Sequence, residues 1–147
     1  MTADRTPRAR DRGQALVEFS LAVTVFVFLL MSIFDFGRAI YQYNGVAQAA
    51  REIARVTSVH PGGDFRIPAG RSSETNAVIA TQKGLIPNLQ DPTITCVDID
   101  GTVIKTGCVP GNWVKVIVVA PYSPITPLLG LVGIWNIQSS STSVQLQ

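Results

Sequence analysis

Apolar and polar positions divide the chain into three unequal stretches. The first apolar block, residues 15–34, is interrupted only by Glu18, Ser20, Thr24 and Ser32. Wound as a helix, it spans about 30 Å, the thickness of a bilayer's hydrocarbon core. Its many Val, Ile and Phe residues favour strands in water, but a lone segment in lipid must satisfy its backbone internally, so a helix is expected. Residues 35–58 follow without a proline and place Ile40, Tyr43, Ala47, Ala50 and Ala54 at spacings of three and four. That is the period of an amphipathic helix, with Gln42, Gln48, Arg51, Glu52 and Arg55 on other faces. One helix is therefore expected from about Gln14 to about Ser58, ended by His60-Pro61-Gly62-Gly63.

Shorter periods rule the remainder. Residues 60–71 read as a Gly- and Pro-containing loop. Residues 72–83 read as a short helix, capped by Ser72 or Ser73 and closed by Gly84 in the left-handed conformation before Pro87. Residues 93–109 suit a β-hairpin turning at Asp100-Gly101. Residues 113–120 are the clearest strand, with Val114, Val116 and Val118 on one face. Pro121, Pro124 and Pro127 then break the chain. Residues 128–135 are apolar but too few to cross a membrane, and residues 136–147 suit a final edge strand or a tail. The expected fold class is α+β: a long N-terminal helix, half transmembrane and half amphipathic, carrying a small antiparallel β head.

Charge adds an orientation. Of the chain's 12 basic and 10 acidic residues, Arg5, Arg8, Arg10, Arg12, Asp4 and Asp11 lie in residues 1–13, leaving the rest neutral. A basic head before an apolar block holds an N-terminus in the cytoplasm. A neutral body lacks the basic stripe that nucleic acid requires. The mean hydropathy of +0.27 is high for a soluble domain and comes from the single apolar block.

The two cysteines, Cys96 and Cys108, have no second pair or histidine cluster beside them, so no metal site is expected. In an oxidising compartment they would form a disulfide; otherwise they are two buried thiols. A two-residue turn at Asp100-Gly101 would set Cys96 opposite Lys105. A bridge therefore needs a three- or five-residue loop, a bulge, or a Cys108 that folds back past the ladder.

The stretch Gly13-Gln14-Ala15-Leu16-Val17-Glu18-Phe19 lies where the basic segment meets the apolar one. A carboxylate near the start of a lipid-embedded helix is costly and is usually kept for a partner. This stretch resembles the processing site of type IV pilin precursors, and Glu18-Phe19 is similar to the pair found in the tight-adherence branch. Together with Phe34-Asp35-Phe36-Gly37-Arg38-Ala39, Asn44 and Ala49-Ala50-Arg51-Glu52-Ile53-Ala54-Arg55, it resembles the TadE-like pilus-assembly family over about residues 12–57.

The resemblance implies a pilin-like fold and a minor pilin or pseudopilin of a bacterial cytoplasmic membrane. Its partners would be a prepilin peptidase, a major pilin, other minor pilins and membrane lipid. It implies cleavage between Gly13 and Gln14, which would make Glu18 the fifth residue of the mature chain. The new amine at Gln14 could then pair with Glu18 of a neighbour, setting helix register as a single buried polar group does in coiled coils. The chain divides accordingly into a leader (1–13), a transmembrane helix (14–34), an amphipathic helix (35–59) and an extracytoplasmic head (60–147).

Asp35 and Arg38, one turn apart just past the apolar block, read as an interfacial anchor pair. No enzyme constellation is evident, since His60 is the only histidine and the serines lack a nucleophile-elbow context. No cofactor is expected. The competing reading is a signal-anchored extracytoplasmic binding module with no filament role. The apolar block is longer than the usual signal core, and the Ala47-Gln48-Ala49 cleavage pattern lies well beyond it.

Overall fold

A single helix organises the molecule: α1 runs Ala9–Val59, 51 residues, about 76 Å at 1.5 Å per residue. The computed structural model describes residues 9–105, 108–126, 135–140 and 144–145, with backbone alone for 9–12, 135–140 and 144–145. Residues 1–8 of the expected leader lie outside the described residues. The helix starts earlier than the Gln14 expected from the apolar pattern. Ala and Arg are good helix formers, and a single glycine at 13 costs only about 1 kcal/mol, so propagation continues through the junction. Every residue from 13 to 31 is exposed, and this helix is long and apolar enough to cross a membrane. Its hydroxyls are spent internally: Ser20, Thr24 and Ser32 each donate to the carbonyl four residues back, at 2.8, 2.7 and 2.8 Å. Such back-bonding leaves no donor stranded in hydrocarbon.

The second half of α1 buries part of the stripe its apolar spacing suggests, Ala50 and Ala54 completely and Ala47 partly, but not the rest of it. Ile40 and Tyr43 are largely exposed, whereas Val46, Ala49, Ala50, Ile53, Ala54 and Thr57 are buried completely. Extended backwards, this face runs 35, 39, 42, 46, 50, 53, 57, with spacings of three and four throughout. Three of its members, Asp35, Gln42 and Thr57, are polar, which hides the period from a hydropathy reading. Each of them has a partner: Gln42 Nε2 donates to the Pro121 carbonyl at 3.4 Å and Thr57 Oγ1 to the Ile53 carbonyl at 2.8 Å. Asp35 is treated below.

Against this face lies an antiparallel sheet of β1 (Thr93–Val97), β2 (Trp113–Tyr122), β3 (Trp135–Ser140) and β4 (Val144–Gln145). The strand expected at 113–120 is the centre of the sheet. Its residues alternate half-buried and buried along all ten positions. Val114, Val116 and Val118 are fully buried, each worth about 1.5–3 kcal/mol. The strand continues through Pro121, which the sequence pattern takes as a breaker. β1 pairs only with residues 113–117, so beyond that point β2 offers one edge where a missing N–H is tolerated. On the other edge, Ser140 faces Ile117 and Val144 faces Val114.

The region expected to be a hairpin is only partly one. The main partner of β1 is β2, and the return arm makes a single bridge, Val97 with Val103. The loop between them has three residues, Ile99-Asp100-Gly101, closed by Asp98 N–H to the Thr102 carbonyl at 2.9 Å, with Gly101 at φ +79°. This is the three-residue loop ending in a left-handed glycine. It sets Cys96 opposite Ile104, whose N–H donates to the Cys96 carbonyl at 2.8 Å. Cys108 therefore lies beyond the ladder and folds back to form the Cys96–Cys108 disulfide, Cα–Cα 6.0 Å. Replacing both cysteines by serine is expected to lower stability by about 2–3 kcal/mol, as for other short closed loops. Urea unfolding of the detergent-solubilised chain would measure it.

The short helix α2 spans Ser73–Leu85, with Ser72 as its N-cap accepting from Thr75 N–H at 3.1 Å. Gly84 lies inside the helix rather than closing it. Pro87 disfavours the helical conformation at the preceding residue, Ile86 is extended, and the left-handed residue that follows is Asn88, φ 59°. In the loop before α2, Pro68–Gly70 forms a 3-10 turn. Of the apolar segment 128–135, residues 128–134 lie outside the described residues and Trp135 begins β3.

Candidate functional site

Two features along α1 bear on function: the junction at residues 13–19 and the point where the head joins the helix. At the junction, Gly13, Gln14, Glu18 and Phe19 lie on one uninterrupted and exposed helix. A Cβ at Gly13 would meet nothing within 4 Å, so packing does not require glycine there. Gln14 and Glu18 are one helical turn apart, about 6 Å along the axis. Among the described residues, the Glu18 side chain has neither a hydrogen bond nor an ion pair, and around it stand Leu16, Val17, Phe19 and Leu21, all exposed.

The second feature is built around Asp35, the first residue after the apolar block. It is only 3% exposed, which is unusual for a carboxylate unless it is paired and hydrogen-bonded. The chain leaving β2 supplies the partners. Thr126 gives its hydroxyl at 2.6 Å and its N–H at 2.8 Å to Asp35 Oδ2, and Ile125 gives its N–H at 3.1 Å to Oδ1. Tyr122, the last residue of β2, donates its hydroxyl to the Asp35 main-chain carbonyl at 2.8 Å. Arg38 stands outside this knot, 3.6 Å from Asp35 Oδ1 and with its guanidinium 5.7 Å from the centre of the Tyr122 ring. The ion pair expected from the sequence is therefore present, but it is the weakest link of the group.

Electrostatics follow the same order. The Thr126 hydroxyl and then its N–H hold the Asp35 carboxyl below the usual carboxylate range. Burial opposes them, and Ile125 N–H and the Arg38 charge add to the lowering. Tyr122 is pushed up, first by burial and then by the Asp35 charge. Sequence reasoning missed the role of Asp35 as the fastening point of the head. Its partners lie some ninety positions away, and the only local signal was a carboxylate on the face later found to be buried.

The long helix with an unpartnered acid behind a glycine invites comparison with known families. Residues 13–55 match the TadE-like protein family. The match is to that segment alone. It covers the junction, the span, Asp35, Arg38 and most of the buried stripe, and it stops before the head. No curated protein and no solved structure matches the chain. The TadE-like segment and α1 nearly coincide, and with its apolar span the chain fits a single-pass membrane protein. No group of three or more metal-ligating side chains occurs among the described residues.

Proposed function

We propose that this chain is a minor pilin or pseudopilin that takes part in assembling a Tad-type pilus or a related secretion apparatus. In this reading residues 1–13 are a cytoplasmic leader, residues 14–34 span the membrane, and residues 35–59 carry the head on the far side. A prepilin peptidase cuts after Gly13, and the exposed half of α1 packs against the helices of the major pilin and other minor pilins. The observation that carries the reading is Glu18, an exposed acid without a partner on an otherwise apolar helix face. An isolated carboxylate at that depth is retained at a cost of up to about 2.5–3.5 kcal/mol. A neighbouring subunit's Gln14 amine would offset that cost and set the register of packing. Gly13 suits a cut site because a glycine makes the local unwinding that a peptidase needs less costly.

Intact-mass measurement of the membrane-extracted protein tests the cleavage. The expected N-terminus is Gln14, and Gly13→Leu should leave the precursor uncut. A chain that keeps Met1 or Thr2 would reject processing and favour a plain signal anchor. Loss of the whole apolar block would indicate an ordinary secretory signal. Glu18→Ala should be processed normally yet fail to support pili; unchanged pilus number in electron micrographs would reject the pairing role.

A further inference from the structure

Where the head meets the span, α1 and the end of β2 enclose a cleft of about 420 Å³ lined by Leu29, Ser32, Ile33, Asp35, Phe36, Ala39 and Tyr122. That volume lies in the range of small-ligand sites, about 300–1,000 Å³. We propose that the cleft holds one acyl chain of a phospholipid from the leaflet facing the head. The proposal rests on the reading that residues 14–34 cross a bilayer.

The chemistry of the lining selects an apolar occupant. It contains three polar side chains, and each is already committed. Ser32 donates to the Phe28 carbonyl, the Asp35 carboxylate accepts from Thr126 and Ile125, and the Tyr122 hydroxyl donates to the Asp35 carbonyl. A ligand in the cleft therefore meets carbon almost everywhere. The lining follows one face of α1 from residue 29 to residue 39, a rise of about 15 Å. Its lower half, residues 29–34, belongs to the span, so the cleft is continuous with the surface that faces lipid. At its outer end stands Arg38, held over the Tyr122 ring and half exposed. It is the first cation after the span, at the level where lipid phosphates lie, and Tyr41 beside it is exposed as interfacial aromatics are. In the membrane-resident chain, before it packs with other pilins, a second helix fits this cleft less well. Close helix approach in lipid favours small residues, whereas Leu29, Ile33 and Phe36 project from this face and are all mostly exposed.

The test is photolabelling of the full chain in vesicles of phosphatidylethanolamine and phosphatidylglycerol. The vesicles carry a trace of phospholipid with a diazirine along its acyl chain, and labelled residues are located by peptide mass spectrometry. Label is expected at Tyr122 in addition to the span. Filling the cleft from either end, by Ala39→Trp or by Ser32→Leu, should abolish the Tyr122 label while leaving that at Leu21 and Phe26 unchanged. The second variant alters only the span end, so a folding defect of the head cannot account for both. Label confined to the span, or a Tyr122 label indifferent to both fillings, would overturn the proposal. So would cross-linking of a photoreactive residue at position 36 to another protein's helix or to residues 127–134 of the same chain. A span that takes no label at all would reject the membrane reading itself, and this proposal with it.

Discussion

Asp35→Ala is expected to detach the lower end of the head from its helix. The substitution removes the acceptor of three hydrogen bonds and leaves the N–H groups of Ile125 and Thr126 and the Thr126 hydroxyl without their partner in a buried place. Donors stranded in this way cost more than the bonds were worth. Amide exchange should report the loss locally, with Ile125 and Thr126 protons exchanging roughly ten- to a hundredfold faster, a ratio typical for lost bonds to a charged group. Thr126→Val should reproduce part of the effect, and Tyr122→Phe should act from the other side by freeing the Asp35 carbonyl. Arg38→Gln should do little, because its contact with Asp35 is long and half exposed. If Asp35→Ala leaves exchange at 125 and 126 unchanged, the knot does not fasten the head.

The same group sets an acid limit. The Asp35 carboxyl titrates lower in the folded chain than in the unfolded one, so the unfolded state takes up a proton first as pH falls. Its stabilisation is complete above the ordinary carboxylate range, about pH 3.9 for an unperturbed Asp, and is lost as pH drops through the lowered folded value. Exchange at residues 125 and 126 should therefore be insensitive to protonation of Asp35 near neutrality and accelerate only in strong acid. Asp35→Asn should lack that acid-dependent step.

Gly70→Ala is the second large effect. A Cβ at residue 70 would collide with the Asp64 carbonyl oxygen and lie 2.7 Å from its carbon. Both are backbone atoms, so no side chain can swing aside. Relief requires the 64–70 turn to open. That would pull on Phe65, which is 3% exposed in the core, and on Arg71, which ties the turn to the start of β1 through Phe65 and Pro92 carbonyls at 3.2 and 3.0 Å. A cost of about 3–5 kcal/mol is expected, the range for overpacking combined with loss of a buried aromatic. Gly84→Ala is the matched control. It lies inside α2 with nothing within 4 Å of a new Cβ, and should stabilise the chain by about 0.5–1 kcal/mol. Urea titrations of the three proteins in one detergent give both signs in a single experiment.

The long helix, the apolar span, the central strand and the N-cap at Ser72 were legible in residue order, because each depends on local period or on contacts within a few positions. The helix starts at Ala9, before the expected Gln14, because good helix formers carry the hydrogen bonding through Gly13. The closing of α2 was misplaced because Pro87 acts on Ile86 whatever Gly84 permits.

What tertiary structure alone decided is which face of α1 is inside. The apolar spacing selects Ala50 and Ala54, which are buried, but also Ile40 and Tyr43, which are exposed, and it passes over Asp35 and Gln42, which point at the sheet. A polar side chain can be buried once the fold brings it a partner, and those partners come from the end of β2, far along the chain. The spacing of the cysteines left several routes for the disulfide open, and packing chose a three-residue loop with Cys108 returning past the ladder. Residue order thus determined the helices, the span and the isolated acid, all products of short-range periodicity. Only packing determined the buried polar stripe, the fastening at Asp35 and the cleft beside it, because those depend on hydrogen bonds closed between residues some ninety positions apart.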